Sequence, residues 1–151
     1  MTVSLGDLTP NNIKQLKVLN SIIFPYINLS DKYYEECLNK VEFSQFGYFK
    51  DVNVGAVSFV EEDDQSSIEI KTIGVLQAYR RLGVASKLLE YVFDKCKEND
   101  KIKEIKVLVQ TTNEAALNLF KKFGFEEKDT VKDYYDNLDK DRDATVLIKS
   151  L

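Results

Sequence analysis

The chain has 151 residues, enough for one domain, 1–151, with a substantial core. Its net charge of −4 argues against general nucleic-acid binding, although local charge and backbone N–H groups can still hold an anionic cofactor. It has no histidine, which excludes Ser-His and Cys-His nucleophile pairs, histidine bases and histidine metal ligands, and leaves carboxylates, tyrosines, backbone groups and water.

The N-terminal stretch 1–10 has no apolar h-region, so no secretory signal is read there. Val3 to Leu5 reads as a short strand. Thr9 is expected to cap a helix with Pro10 at its first position. Ile13, Leu16, Leu19 and Ile22 follow helical spacing, and the helix ends near Phe24-Pro25 because a residue before proline avoids the helical region. Asn28-Leu29-Ser30 matches a glycosylation sequon, which has no use in a protein that is not secreted. Ser30 can cap a second helix over Asp31 to Lys40. Phe43 to Phe49 and Val54 to Val60 read as strands joined by a turn at Lys50 to Asn53, and the acidic stretch Glu61 to Ser67 reads as a loop. In the next strand, Ile68 to Leu76, Ile68, Ile70 and Thr72 fall on one side and Glu69, Lys71 and Ile73 on the other.

After Gly83 a helix runs to about Lys97, with apolar Leu88, Leu89, Val92 and Phe93. Lys95 to Lys106, mixed in sign, reads as a surface face. Ile105, Val107 and Val109 alternate as a strand. Asn113 can cap a helix through Lys122, which Gly124 ends. Phe125 to Tyr135 and Ala144 to Ile148 complete a mixed α/β sheet of about seven strands flanked by about four helices. Asp139, Asp141 and Asp143 have the spacing of a calcium loop, but Ala144 and Ser150 replace its glycine and glutamate, so we read a solvated turn and expect no metal. Cys37 and Cys96, far apart and on helices, read as packing residues in a reducing compartment. No apolar run is long enough to span a membrane, and a cytoplasmic location is expected.

The strongest chemical signal is the stretch from Val75 to Ser86, where a strand runs through a short loop into a helix. Gly83 and Ala85 leave room for close approach to the backbone. The new helix presents free N–H groups and the positive end of its dipole, with Arg80 and Arg81 beside it. Together these make a pyrophosphate site. The same features also fit an ordinary strand-to-helix turn with solvated arginines. The stretch is neither a GxGxxG fingerprint nor a P-loop.

Arg80-Arg81-Leu82-Gly83-Val84-Ala85 resembles the acetyl-CoA motif of the GNAT acetyltransferases, R/Q-x-x-G-x-G/A. The run from Asn113 to Phe125 resembles their N-x-x-A-x-x-x-Y/F-x-x-x-G-F motif. The segments Leu5 to Lys17, Ile23-Phe24-Pro25, Val54 to Val57, Ala78 to Gly83 and Tyr134-Tyr135 are similar to the San, or NatE catalytic-subunit, family. The resemblance implies a GNAT fold and transfer of acetyl from acetyl-CoA to protein N-termini, typically Met followed by a hydrophobic residue. It also implies association with NatA-type subunits near the ribosome. By the same resemblance Ile73, Val75, Arg80, Arg81, Leu82, Gly83, Val84, Ala85, Ser86, Asn113, Ala116 and Phe120 hold the cofactor, with an oxyanion-binding N–H near Val75. Phe24, Pro25 and Tyr26 match one wall of the family's peptide-entry groove, and Tyr134 and Tyr135 the other; Ile27 to Ser30 is one residue longer than the family pattern.

Three departures bear on catalysis. The family's catalytic tyrosine position is Glu69 here, its catalytic histidine position is Leu108, and Phe120 lacks the hydroxyl that many GNAT enzymes place near the thiolate. Glu69 lies eleven residues before Arg80, an offset similar to that of the glutamate base in histone-type GNAT enzymes. Two readings follow. In one, Glu69 accepts the amine's proton, directly or through water. In the other, the chain binds acetyl-CoA or a partner with little turnover. A lysine or small-amine acetyltransferase is the third possibility.

Overall fold

Strand β1 (Val3–Asp7) leads into the first helix through a turn with the expected start, Thr9 at the N-cap and Pro10 at the first position. A 3-10 turn, Pro10–Asn12, precedes helix α1 (Ile13–Ile23). The Asn12 side chain, three residues on, accepts the Thr9 N–H at 2.8 Å and so closes the turn from the helix side. This computed structural model describes residues 3–27, 29–62 and 64–151. The first two residues of the N-terminal reading, Asn28 of the sequon and Asp63 of the acidic loop lie outside the described residues.

The chain packs as two compact units. The first comprises the chain up to Phe59 together with Thr72–Asn99; the second comprises Val60–Lys71 and Asp100–Leu151. In the first unit, α1 buries Leu16 and Leu19 against Leu8, Phe46 and Ala56. Ile22 does not join them. At 100° per residue it stands roughly 110° away from the inward row, and Ile23 takes its place. Helix α2 (Asp31–Asn39) begins as expected: Ser30 Oγ accepts the Tyr33 N–H at 3.2 Å. Strand β2 (Ser44–Phe49) pairs antiparallel with β1 and with β3 (Val52–Glu61). The hairpin between β2 and β3 turns on Lys50 and Asp51, both left-handed at φ 49° and 68°, which suits the twist of the flanking strands. Helix α3 (Val84–Lys97) buries Val84, Leu88, Leu89 and Val92. A Cβ on Gly47 would stand 2.6 Å from Val84 Cγ1, so that glycine is where α3 lies down on β2.

In the second unit, β5 (Glu104–Gln110) pairs antiparallel with β7 (Ala144–Ser150), and β7 pairs with β6 (Glu126–Val131). Helix α4 (Glu114–Lys122) carries buried Leu117 and Phe120. Its cap is Asn113, whose Oδ1 accepts the Ala116 N–H at 3.2 Å; Gly124 follows the helix at φ 94°. Asn113→Ala is expected to lower stability by about 1 kcal/mol, read as a drop of roughly 2–4 °C in Tm. β6 ends at Val131, four residues short of the expected Tyr135: Asp133 turns the chain at φ 55° and is held by Arg142 Nε at 3.0 Å. Its exposed, charged face protects a sheet edge.

Strand β4 (Ser67–Val75) starts in the second unit and ends in the first. Among the described residues the strand order is β1-β2-β3-β4-β5-β7-β6, and β4 and β5 are parallel where the pairs named above are antiparallel. The expected mixed sheet with four flanking helices is therefore present.

Candidate active site

The candidate site begins at the end of β4. Its ladder with β5 covers only Ser67–Ile70 against Glu104–Val107, so the Lys71–Val75 edge continues outside that ladder. On its other edge, Leu76 N–H donates to Val54 O at 2.7 Å. The C-terminus of α1 rests on this strand end: a Cβ on Gly74 would lie 2.6 Å from Ile23 Cγ2 and 2.9 Å from Phe24 Cζ. Glycine thus brings the Phe24 ring down beside Ile73 and Val75. Pro25 is exposed; Tyr26 is half-buried. Burial raises the pKa of the Tyr26 hydroxyl, and the charge of Arg80 partly opposes this, which places Tyr26 within electrostatic reach of the loop.

The loop itself folds back on the strand. Arg80 Nε–H donates to Val75 O at 3.1 Å, Arg81 is left-handed at φ 65°, and Gly83 caps α3 at φ 90°. Nothing lies within 4 Å of where a Gly83 Cβ would be. The first amides of α3, at Val84, Ala85 and Ser86, precede the first intrahelical bond, Lys87 N–H to Gly83 O at 3.1 Å. Arg80, Arg81, Leu82 and Gly83 are exposed, Ala85 and Ser86 half-buried. A diphosphate fits this arrangement: open space, donor amides, a positive helix end and two cations.

In the second unit Asn113 is exposed and Ala116 half-buried. Phe120 is only 2% exposed and packs edge-on to Phe125 at 5.2 Å, so its ring is a core group with little surface to offer a ligand. Tyr134 is exposed and stands perpendicular to buried Tyr135, their rings 5.0 Å apart. Both tyrosines sit in the loop after β6. The loop is fastened by Tyr135 N–H to Arg142 O at 2.9 Å and by Asp133 N–H to the Asp143 carboxylate at 3.0 Å.

Glu69 is the clearest departure from a solvent-facing strand residue. It is 8% exposed, and both its oxygens hold lysines: Oε2 faces Lys71 Nζ at 3.0 Å and Oε1 faces Lys106 Nζ at 3.3 Å. Lys106 also pairs with Glu62 at 3.2 Å. Leu108, two residues further along β5, is half-buried. Lys106 thus belongs to a half-buried ion network around buried Glu69, and Ile102 and Ile105 beside it are core; only part of the Lys95–Lys106 stretch is surface. The sequence reading put Lys71 on the Glu69 face of β4 but missed Lys106. The signal for Lys106 is the parallel register, Glu69 opposite Lys106, which a chain without known pairing does not display.

A second group unnoticed in the sequence lies in the first unit. The hydroxyls of Tyr33, Ser58 and Thr72 bond to one another, Ser58 to Thr72 at 2.6 Å, and tie α2 to β3 and β4. Cys37 and Cys96 are buried free thiols with raised pKa values, Cys96 to about 11, so neither is poised as a nucleophile.

Residues 15–125 match the acetyltransferase (GNAT) family. The chain belongs to that family of acetyl-CoA-dependent transferases. Among its relatives, N-alpha-acetyltransferase 50 of Danio rerio is 42% identical over 99% of this chain and 89% of its own length. The probable N-acetyltransferase san of Drosophila melanogaster is 38% identical over 99% and 82%. The Arabidopsis thaliana Naa50 structure, in complex with the bisubstrate analogue CoA-Ac-MVNAL, superposes at a TM-score of 0.90 with 39% identity and complete coverage of both chains.

Proposed function

We propose that this chain transfers the acetyl group of acetyl-CoA to the N-terminal α-amine of proteins that begin with Met and a hydrophobic residue. The observation that carries this reading is the amide-lined, open N-terminus of α3 at Gly83, in a chain nearly 40% identical over its whole length to a protein held with CoA-Ac-MVNAL. Acetyl-CoA supplies an activated thioester. The amides of Val84, Ala85 and Ser86, with Arg80, Arg81 and Leu82, grip its diphosphate; Asn113 and Ala116 belong to the proposed cofactor set by the resemblance alone, and Phe120, buried in the core, leaves it. Ile73 flanks the acetyl group, and the Val75 N–H meets the oxyanion. Phe24, Pro25 and Tyr26 offer an apolar wall to the first side chain; the Tyr134 hydroxyl, with Tyr135 behind it, offers a partner to peptide backbone.

Glu69 is the proposed proton acceptor. Each carboxylate oxygen carries about two lone pairs, so Glu69 keeps acceptor sites beyond those its lysines occupy. An α-amine makes modest demands on a base: with a pKa near 8, about a tenth is neutral at pH 7, against roughly one part in several thousand for a lysine. Positioning then supplies much of the rate. A cytoplasmic setting beside NatA-type subunits at the ribosome belongs to the same reading and rests on the San-type resemblance.

A second reading, a weakly active acetyl-CoA-binding subunit, draws on Leu108 at the family's histidine position. Incubation with acetyl-CoA and a panel of N-terminal peptides separates the two. We expect α-acetylation, located by product mass, with Met-Val and Met-Leu peptides favoured. Acetylation confined to lysine side chains would overturn the proposal. Full acetyl-CoA binding with no product would favour the second reading.

A further inference from the structure

We propose that Lys106 and Lys71 are positioning residues that set the charge around Glu69 so that the site accepts the substrate amine in its neutral form. This inference rests on the reading of Glu69 as proton acceptor. One lysine would neutralise one carboxylate; here two ammonium groups lie at 3.0 and 3.3 Å from Glu69, and Glu62 at 3.2 Å from Lys106 brings the four-group network to zero net charge. Among the described residues, the charged groups paired with Glu69 are Lys71 on its own strand, Lys106 opposite it on β5 and, through Lys106, Glu62 ahead of β4. Burial lowers the pKa of Lys106, but Glu62 and Glu69 together raise it, so it stays a cation through the working range.

An unpaired carboxylate here would attract the ammonium form of the substrate, whose nitrogen has no lone pair for attack. With both lysines in place, an incoming ammonium meets like charge. At a separation of about 6 Å and an effective dielectric of about 20, one such repulsion disfavours it about a hundredfold. A neutral amine still finds an acceptor. Its lone pair forms the new C–N bond at the thioester carbon, the C–S pair leaves with the thiolate, and the nitrogen gives one proton to Glu69, which passes it to water or thiolate. The lysines keep their protons throughout. The device favours α-amines over lysine side chains, because the neutral fractions differ by several hundredfold at pH 7.

The test is the pH dependence of the full-length enzyme on a Met-Leu peptide. kcat reports ionisations of the bound complex, kcat/KM those of free enzyme and substrate. Lys106→Met is expected to move the rise in kcat to higher pH by about two units, the hundredfold of one lost repulsion, leave the kcat/KM inflection at the peptide's own amine pKa, and lower the ratio of α- to ε-product. Lys106→Arg is expected to restore the wild-type kcat profile. A Lys106→Met profile that overlays the wild type, or a Lys106→Arg profile displaced like that of Lys106→Met, overturns the proposal. If Lys106→Met does not fold, Lys71→Met carries the same expectation. Glu69→Gln separates the two layers: if it slows turnover while neither lysine substitution shifts the profile, only the lysines' role falls. If it changes nothing, the acceptor reading falls and this inference with it.

Discussion

Gly83→Val is expected to weaken acetyl-CoA binding by about a hundredfold or more while the protein still folds. The expectation follows from two properties of one residue. Gly83 holds φ 90°, a left-handed conformation that a β-branched residue adopts only at a strain of about 1–3 kcal/mol. Nothing lies within 4 Å of its Cβ direction, so the valine meets open space and no internal clash adds to the strain. Melting should therefore fall by roughly 2–12 °C and remain cooperative. Binding suffers more. The added side chain occupies the approach to the first amides of α3, and each hydrogen bond lost to a charged phosphate is worth about 1.5–3 kcal/mol. Calorimetric titration of acetyl-CoA alongside a thermal melt reads both numbers. A variant that melts lower yet binds acetyl-CoA as tightly as the parent would move the diphosphate elsewhere.

Glu69→Gln is expected to lower kcat by about a hundredfold, the low end of what a general base contributes. The low end is appropriate because the substrate amine is partly neutral already. Glutamine keeps the shape but loses the charge that holds two lysines. Lys71 and Lys106 have side chains 39% and 35% exposed, so both ammonium groups can turn toward water and the fold should persist. KM for acetyl-CoA should stay where it is, because Glu69 has no part in gripping the cofactor. Unchanged kcat/KM across pH would show that proton acceptance lies with water alone.

The cofactor end of this site was legible because its information is local. A glycine between Arg81 and the apolar row Val84, Leu88 and Leu89 fixes the turn, the helix start and the anion site within a few residues. Asn113 and Gly124 mark the ends of α4 in the same way. The failures are non-local. Apolar spacing admitted Ile22 to the inward face of α1, but only packing against Leu8 and Phe46 decides which row turns in. β6 is expected from the sequence to continue to Tyr135; the break at Asp133 is set by side chains nine and ten residues on, Arg142 and Asp143. The environment of Glu69 depends on which residue of β5 stands opposite, a property of register that no run of neighbours encodes.

Binding of acetyl-CoA through the amides that open α3 can be read directly. In a 15N-labelled sample titrated with acetyl-CoA, the largest amide shifts are expected at Gly83, Val84, Ala85 and Ser86, saturating together with the arginine side-chain signals of Arg80 and Arg81. Saturable binding that leaves those four amides unmoved would contradict it.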